Sequence, residues 1–182
     1  MAEMFRLTED HFRQIYGSLR LAYDRGTLGA TQYWSNIALA AGTEIGPEQL
    51  AELRLMDVAM WGHLNLTILR WAERLRAAGL KTAVLSNMHL DMVQHVRDNG
   101  EWTKSFDCVT LSSAIGMAKP EPKIFKYCLK GLKVAPQEAL FIDDRKRNVA
   151  AAQALGIRGI VAPSTAHLRA QLGAIGFSPL PE

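Results

Sequence analysis

Three short segments hold the residue types that phosphoryl transfer needs. Ser86-Asn87 follows the apolar pair Val84-Leu85. Lys119 stands between Ala118 and Pro120 in the segment Gly116-Met117-Ala118-Lys119-Pro120-Glu121-Pro122. Asp143-Asp144-Arg145 follows Phe141-Ile142. A hydroxyl with neighbouring backbone N–H groups can hold phosphate oxygens, and a lysine offsets negative charge on a transferring group. Adjacent carboxylates suit Mg²⁺, a hard cation that prefers oxygen and takes few ligands from protein. Singly, each segment has an ordinary explanation. Ser-Asn makes turns, most lysines are solvated, and aspartates near a helix start are favourable without any metal. Their joint occurrence is what points to a site.

The surrounding pattern puts all three segments at strand ends. After Gly79, short apolar runs alternate with helical stretches. Strands are expected at 81–85, 106–111, 139–142 and 157–161, and helices at 90–99, 124–132 and 148–155. Such alternation implies right-handed crossovers and a parallel sheet covered on both faces, and near-continuous apolar strands fit that burial. Ligands of an open parallel sheet bind beyond the carboxyl ends of its strands.

Residues 8 to about 75 have a different grammar, with helical signals only. Thr8 can cap a helix carrying Phe12, Ile15, Tyr16 and Leu19. Gly26 and Gly29 flank a break, and Thr31 can cap a second helix that ends at Gly42. Pro47 suits a first turn, and Asn65 to Ala78 is a further helix with Gly79 as its stop. The expected fold class is therefore α/β: a Rossmann-like parallel sheet preceded by an all-helical region. The expected division is 1–64 and 65–182.

Three motifs, in order and at plausible spacing, now carry a resemblance. They are Val84-Leu85-Ser86-Asn87, Ala118-Lys119-Pro120, and the run Phe141-Ile142-Asp143-Asp144-Arg145-Lys146-Arg147-Asn148-Val149-Ala150-Ala151-Ala152, continuing to Ala154-Leu155-Gly156-Ile157. Together they resemble the second, third and fourth motifs of the haloacid dehalogenase-like hydrolases, in the helical-cap branch with glucose-1-phosphatase-like and epoxide-hydrolase-linked phosphatase domains. The resemblance implies a helical cap over residues 1–64 and an α/β core over 65–182. It also implies Mg²⁺-dependent hydrolysis of a small phosphorylated metabolite. By that resemblance, Ser86 and Asn87 bind phosphoryl oxygens and Lys119 steadies the transferred group. Asp144 is the principal metal ligand, and Asp143 supports it and contacts Lys119. Asn148 stands where many relatives carry another acidic residue.

One part of that pattern is missing. The family's first motif is a strand ending in Asp-x-Asp, whose first aspartate attacks phosphorus, and no Asp-x-Asp occurs in this sequence. Tyr23-Asp24-Arg25-Gly26-Thr27-Leu28 mimics its ending but follows a helical stretch and holds one aspartate. Loss of this motif removes a metal ligand, the phosphoryl acceptor and the middle strand of the sheet. Facing strand edges would be left with unpaired N–H and C=O groups. The simplest expectation is a start placed downstream of that strand. A truncated gene or a genuine pseudoenzyme are the alternatives. The rival functions are a non-catalytic binder of phosphate ligands and a self-associating interaction module, with a homodimer open to it.

Bulk properties narrow the field. The net charge is +3 with scattered basic residues, which gives no nucleic-acid footprint. No apolar run approaches the ~20 residues that span a bilayer. Cys108 and Cys128 belong to no CxxC pair and read as reduced core thiols, which fits the cytoplasm. His63, His89, His95 and His167 lack metal-ligand spacing and read as surface or packing residues, with His89 nearest the expected pocket. Trp34, Trp61 and Trp71 read as packing residues.

Overall fold

The helices of the first half start and stop where caps and glycines put them. A computed structural model describes residues 1–181. The chain forms two compact units: 1–63 with 87–99 and 111–118, and 64–86 with 100–110 and the chain from Lys119 onward.

In the helical unit, α1 (Glu9–Ser18) begins at Thr8, whose side chain accepts the His11 N–H. The single helix expected through Leu19 is broken there and resumes as α2 (Arg20–Arg25), which ends at Gly26. Gly26 has φ +81°, and a Cβ there would come within 3.1 Å of the Ser113 carbonyl, so both backbone and space demand glycine. α3 (Ala30–Ala40) starts one residue before Thr31. Gly29 is extended, and its carbonyl accepts the Tyr33 N–H at 2.9 Å, so Thr31 lies in the first turn rather than capping it. α4 (Pro47–Trp61) opens with Pro47 in its first turn. α6 (Leu90–Asn99) and α7 (Ser112–Ile115) complete this unit. Its core is aromatic and sealed: Tyr33, Trp34, Ile37 and Leu53 are wholly buried. Phe5 stacks between Phe12 and Trp34, with ring centroids at 5.7 and 6.3 Å.

The α/β unit contains α5 (Leu66–Ala77), β1 (Ala83–Ser86), β2 (Cys108–Leu111, whose last residue belongs to the helical unit) and α8 (Pro122–Leu132). β3 (Leu140–Asp143), α9 (Lys146–Gln153), β4 (Arg158–Val161) and α10 (Thr165–Ala174) follow. Asn65 caps α5 through the Ile68 N–H at 3.2 Å. β1 starts later than the apolar run because Thr82 is used otherwise. Its N–H goes to the Asp107 carboxylate at 2.8 Å, and its carbonyl accepts the Asp107 N–H at 2.9 Å. β3 and β4 pair in parallel, Leu140 with Arg158 through Asp143 with Val161. β1 pairs with β2. The expected single sheet is present as two two-stranded sheets among the described residues. One face of β3 and β4 packs on Trp71, Leu75, Leu168 and Leu172 through Leu140, Ile142 and Ile160. On the other, Phe141 meets Phe125 of α8 edge-on at 5.2 Å.

Candidate phosphate and metal site

Lys119 precedes α8, whose Pro122 sits in the first turn. The lysine is 8% exposed. Its Nζ donates to the Leu85 carbonyl at 2.7 Å and to Asp143 Oδ2 at 2.8 Å. One ammonium therefore ties the C-terminal end of β1 to that of β3. Asp143, 9% exposed, is fully engaged: its Oδ1 accepts the Arg145 N–H at 2.8 Å and Asn148 Nδ2 at 2.9 Å. Burial alone would raise the pKa of this carboxyl. The Lys119 charge and these hydrogen bonds overcome that and hold it below the ordinary carboxylate value.

Asp144, the next residue, is exposed. Ser86 follows Leu85 directly and is half-buried at the end of β1. The structure thus brings Lys119 and Asp143 into contact, with Ser86 and Asp144 one residue from that contact. Asn87 belongs to the helical unit. Asn148, 3% exposed in the first turn of α9, leaves its side-chain oxygen buried with no hydrogen-bond partner. An orphaned acceptor beside two carboxylates is a ready oxygen ligand, since burying it unsatisfied costs about 1–3 kcal/mol. Among the described residues, no cluster of three His, Cys, Asp or Glu forms a metal site of its own.

The helical unit holds a charged network that spacing did not reveal. Asp57, wholly buried, accepts Tyr16 Oη at 2.6 Å and Arg20 Nη1 at 3.0 Å. Arg20 also donates to Asp24 at 2.9 Å and to the Tyr16 hydroxyl. His89 is wholly buried and stacks on Tyr23 at 4.7 Å. Its Nε2 lies 3.3 Å from Asp57 Oδ2 but is poorly aligned for a hydrogen bond. Burial pushes the His89 ring down to about 4, against the pull of Asp57. Tyr16, Arg20 and Asp57 sit on helices where charge usually marks a solvated face, so the sequence carried no signal for this cluster. The same unit has a half-open cavity of about 450 Å³ lined by Tyr23, Leu28, Gly29, Thr31, Arg54 and Asp91. Arg54 holds Asp91 by two bonds of 2.8 and 2.6 Å. No helix among the described residues is long and apolar enough to cross a membrane.

The α/β unit thus carries a lysine in contact with one of two successive aspartates at the end of a parallel strand. The family model for haloacid dehalogenase-like hydrolases matches residues 7–156, and the chain belongs to that family. It is 32% identical over 172 residues to acyl-CoA dehydrogenase family member 10 of Mus musculus, covering 92% of this chain and 14% of that protein. Bifunctional epoxide hydrolase 2 of Rattus norvegicus is 31% identical over 142 residues, 75% of this chain and 26% of its own length. Phosphoserine phosphatase of Thermus thermophilus is 30% identical over 86 residues, 47% of this chain and 34% of that one. The chain thus spans about a third or less of these relatives. Among solved structures, a magnesium complex of a HAD family enzyme from Bacteroides thetaiotaomicron superposes with a TM-score of 0.66 at 25% identity, covering 87% of this chain and 79% of that one.

Proposed function

We propose that the rim at the ends of β1 and β3 is the phosphate and Mg²⁺ site of a phosphomonoester hydrolase, and that residues 1–182 lack the nucleophile it needs. The observation that carries this is the Lys119 ammonium held between the Leu85 carbonyl and Asp143, next to Ser86 and to the exposed Asp144. The buried cation meets phosphoryl oxygens without moving. The Ser86 hydroxyl, with Asn87 beyond it, donates to them. Asp143 holds Lys119 in place.

Asp144 and Asp143, with the orphaned Asn148 oxygen, supply the hard oxygen donors that Mg²⁺ takes. Bound there, the metal would neutralise charge on the phosphoryl group. The magnesium in the Bacteroides enzyme and the phosphatase activity named for the Thermus relative support this reading. In the same reading residues 1–64 are the cap segment and 65–182 the core segment, and the substrate is a small phosphorylated metabolite. The two free thiols, Cys108 and Cys128, suit a reducing cytoplasm.

A second reading, a non-catalytic phosphate binder, is favoured by the absence of Asp-x-Asp from the sequence. The test compares Mg²⁺-dependent p-nitrophenyl phosphate hydrolysis by residues 1–182 with that of a form extended at its N-terminus by an apolar strand ending in Asp-x-Asp. Turnover by the extended form alone is expected. Turnover by residues 1–182 would contradict the missing nucleophile. An inert extended form that binds phosphate would leave the binder reading.

A further inference from the structure

The α/β unit holds both cysteines of the chain, and it brings them together. Cys108 opens β2 and Cys128 lies in α8. The Cys108 thiol donates to the Cys128 carbonyl at 4.0 Å, and the two thiols are within hydrogen-bonding reach of each other. Thr110, on the same face of β2 as Cys108, brings its hydroxyl to 3.7 Å from the Cys108 sulfur and also hydrogen-bonds the Cys128 thiol. Gly131 makes room for the contact. It stands nearly one turn beyond Cys128 in α8, and a Cβ there would come within 2.6 Å of the Cys108 sulfur. The helix thus leaves a slot that the β2 thiol fills. The pair is also asymmetric. Cys108 is half-buried, whereas Cys128 is 6% exposed. Burial pushes the Cys128 thiol up to about 11, with Cys108 adding to the rise, against the pull of the Thr110 hydroxyl and the Lys119 charge. The thiolate is the nucleophile in thiol–disulfide exchange, so a dissolved oxidant meets Cys108 first.

We propose that Cys108 and Cys128 form a reversible disulfide site, closed by exchange with a low-molecular-weight disulfide such as oxidised glutathione, with Cys108 attacking first. The Cys108 thiolate attacks one sulfur of the small disulfide and expels one small thiolate, which leaves a mixed disulfide. The Cys128 thiolate then attacks the Cys108 sulfur and expels the second small thiolate. The cysteines give up their two protons and two electrons, and the small disulfide becomes two thiols. A reducing environment runs the exchange backwards and restores the open pair. Disulfides that open and close in this way are of the redox-sensing kind. The closed bridge fastens β2 to α8, the helix that Lys119 leads into. The proposal concerns thiol chemistry and does not rest on the phosphatase reading.

The experiment exposes residues 1–182 to excess oxidised glutathione, quenches with acid, alkylates the remaining thiols and reads intact and tryptic masses. The expected product has lost two hydrogens and both alkylation sites. It yields peptides joined through Cys108 and Cys128, and dithiothreitol restores both thiols. In urea the ratio of bridge to mixed disulfide should fall by at least about tenfold, because only the folded chain holds the two thiols together. Cys128→Ser should stop at glutathione on Cys108, and Cys108→Ser should leave Cys128 free. Thiols that stay alkylatable in the folded chain would overturn the proposal, as would a folded chain that stops at the mixed disulfide. So would a bridge equally favoured in urea, or bridges formed only between chains. Glutathione added to Cys128 of Cys108→Ser as fast as to Cys108 of Cys128→Ser would overturn the order of attack.

Discussion

The helical unit and the α/β unit solve the burial of polar groups in opposite ways. The helical unit seals its core: Trp34, Tyr33, Ile37 and Leu53 are wholly buried, and even its ion network of Arg20, Asp24 and Asp57 is closed on itself. The α/β unit leaves its strands half-covered and spends a buried lysine on a strand carbonyl. Helices satisfy their backbone locally, so a helical unit can be complete in itself. A sheet satisfies its backbone only through neighbours, so a pair of strands advertises what is missing beside it.

The largest expected effect attacks the sealed unit. Asp57→Ala removes one of the two carboxylates that hold the buried Arg20 guanidinium, along with the acceptor for Tyr16, and should cost about 4 kcal/mol, read by urea unfolding. A cost below about 1 kcal/mol would mean that the network is solvated and the contrast false.

Titration of His89 comes next. Its folded value is lowered to about 4 from 6.5, so between those values the unfolded chain binds a proton that the folded one refuses. Stability should therefore fall as pH falls through that window, by about 3 kcal/mol in all. The groups acting on His89 are Asp57, Arg20, Asp91 and Arg54. His89→Gln should flatten the slope between pH 6.5 and 4. Asp143, held low, adds its own loss only as pH falls below the ordinary carboxylate value of 3.8.

Lys119→Met leaves Asp143 buried without its cation. The site borders half-covered strands, so a cost of about 2 kcal/mol is expected, together with loss of phosphate binding. An unchanged phosphate affinity would remove Lys119 from the site. The smallest changes are at helix caps. Ser164→Ala in the α/β unit should cost about 1 kcal/mol, and Thr8→Ala in the helical unit, with its longer 3.4 Å bond, about 0.5 kcal/mol.

Strand–helix alternation, Pro47, Asn65, Gly26 and Gly79 made the element order legible, because each acts through its own neighbours in sequence. The strand ends that carry Ser86 and Asp143 were legible for the same reason, whereas Lys119, expected at a strand end, lies in the loop between α7 and α8. The capture of the Leu85 carbonyl by Lys119 was not, since it joins residues 34 apart. Nor was the Tyr16–Arg20–Asp57–His89 cluster, because a charge that is buried and one that is solvated look alike in the sequence of a helix. Thr31 misled because a good capping side chain two residues into a helix reads the same as one at its start.

The central claim is that Lys119, Ser86 and the Asp143–Asp144 pair bind phosphate and Mg²⁺ without a nucleophile. Calorimetric titration of inorganic phosphate into residues 1–182 with Mg²⁺, repeated with Lys119→Met and Asp144→Asn, tests it most directly. The account predicts saturable, Mg²⁺-dependent binding that either substitution weakens by at least about tenfold. Absence of binding, or binding that both variants retain, would contradict it.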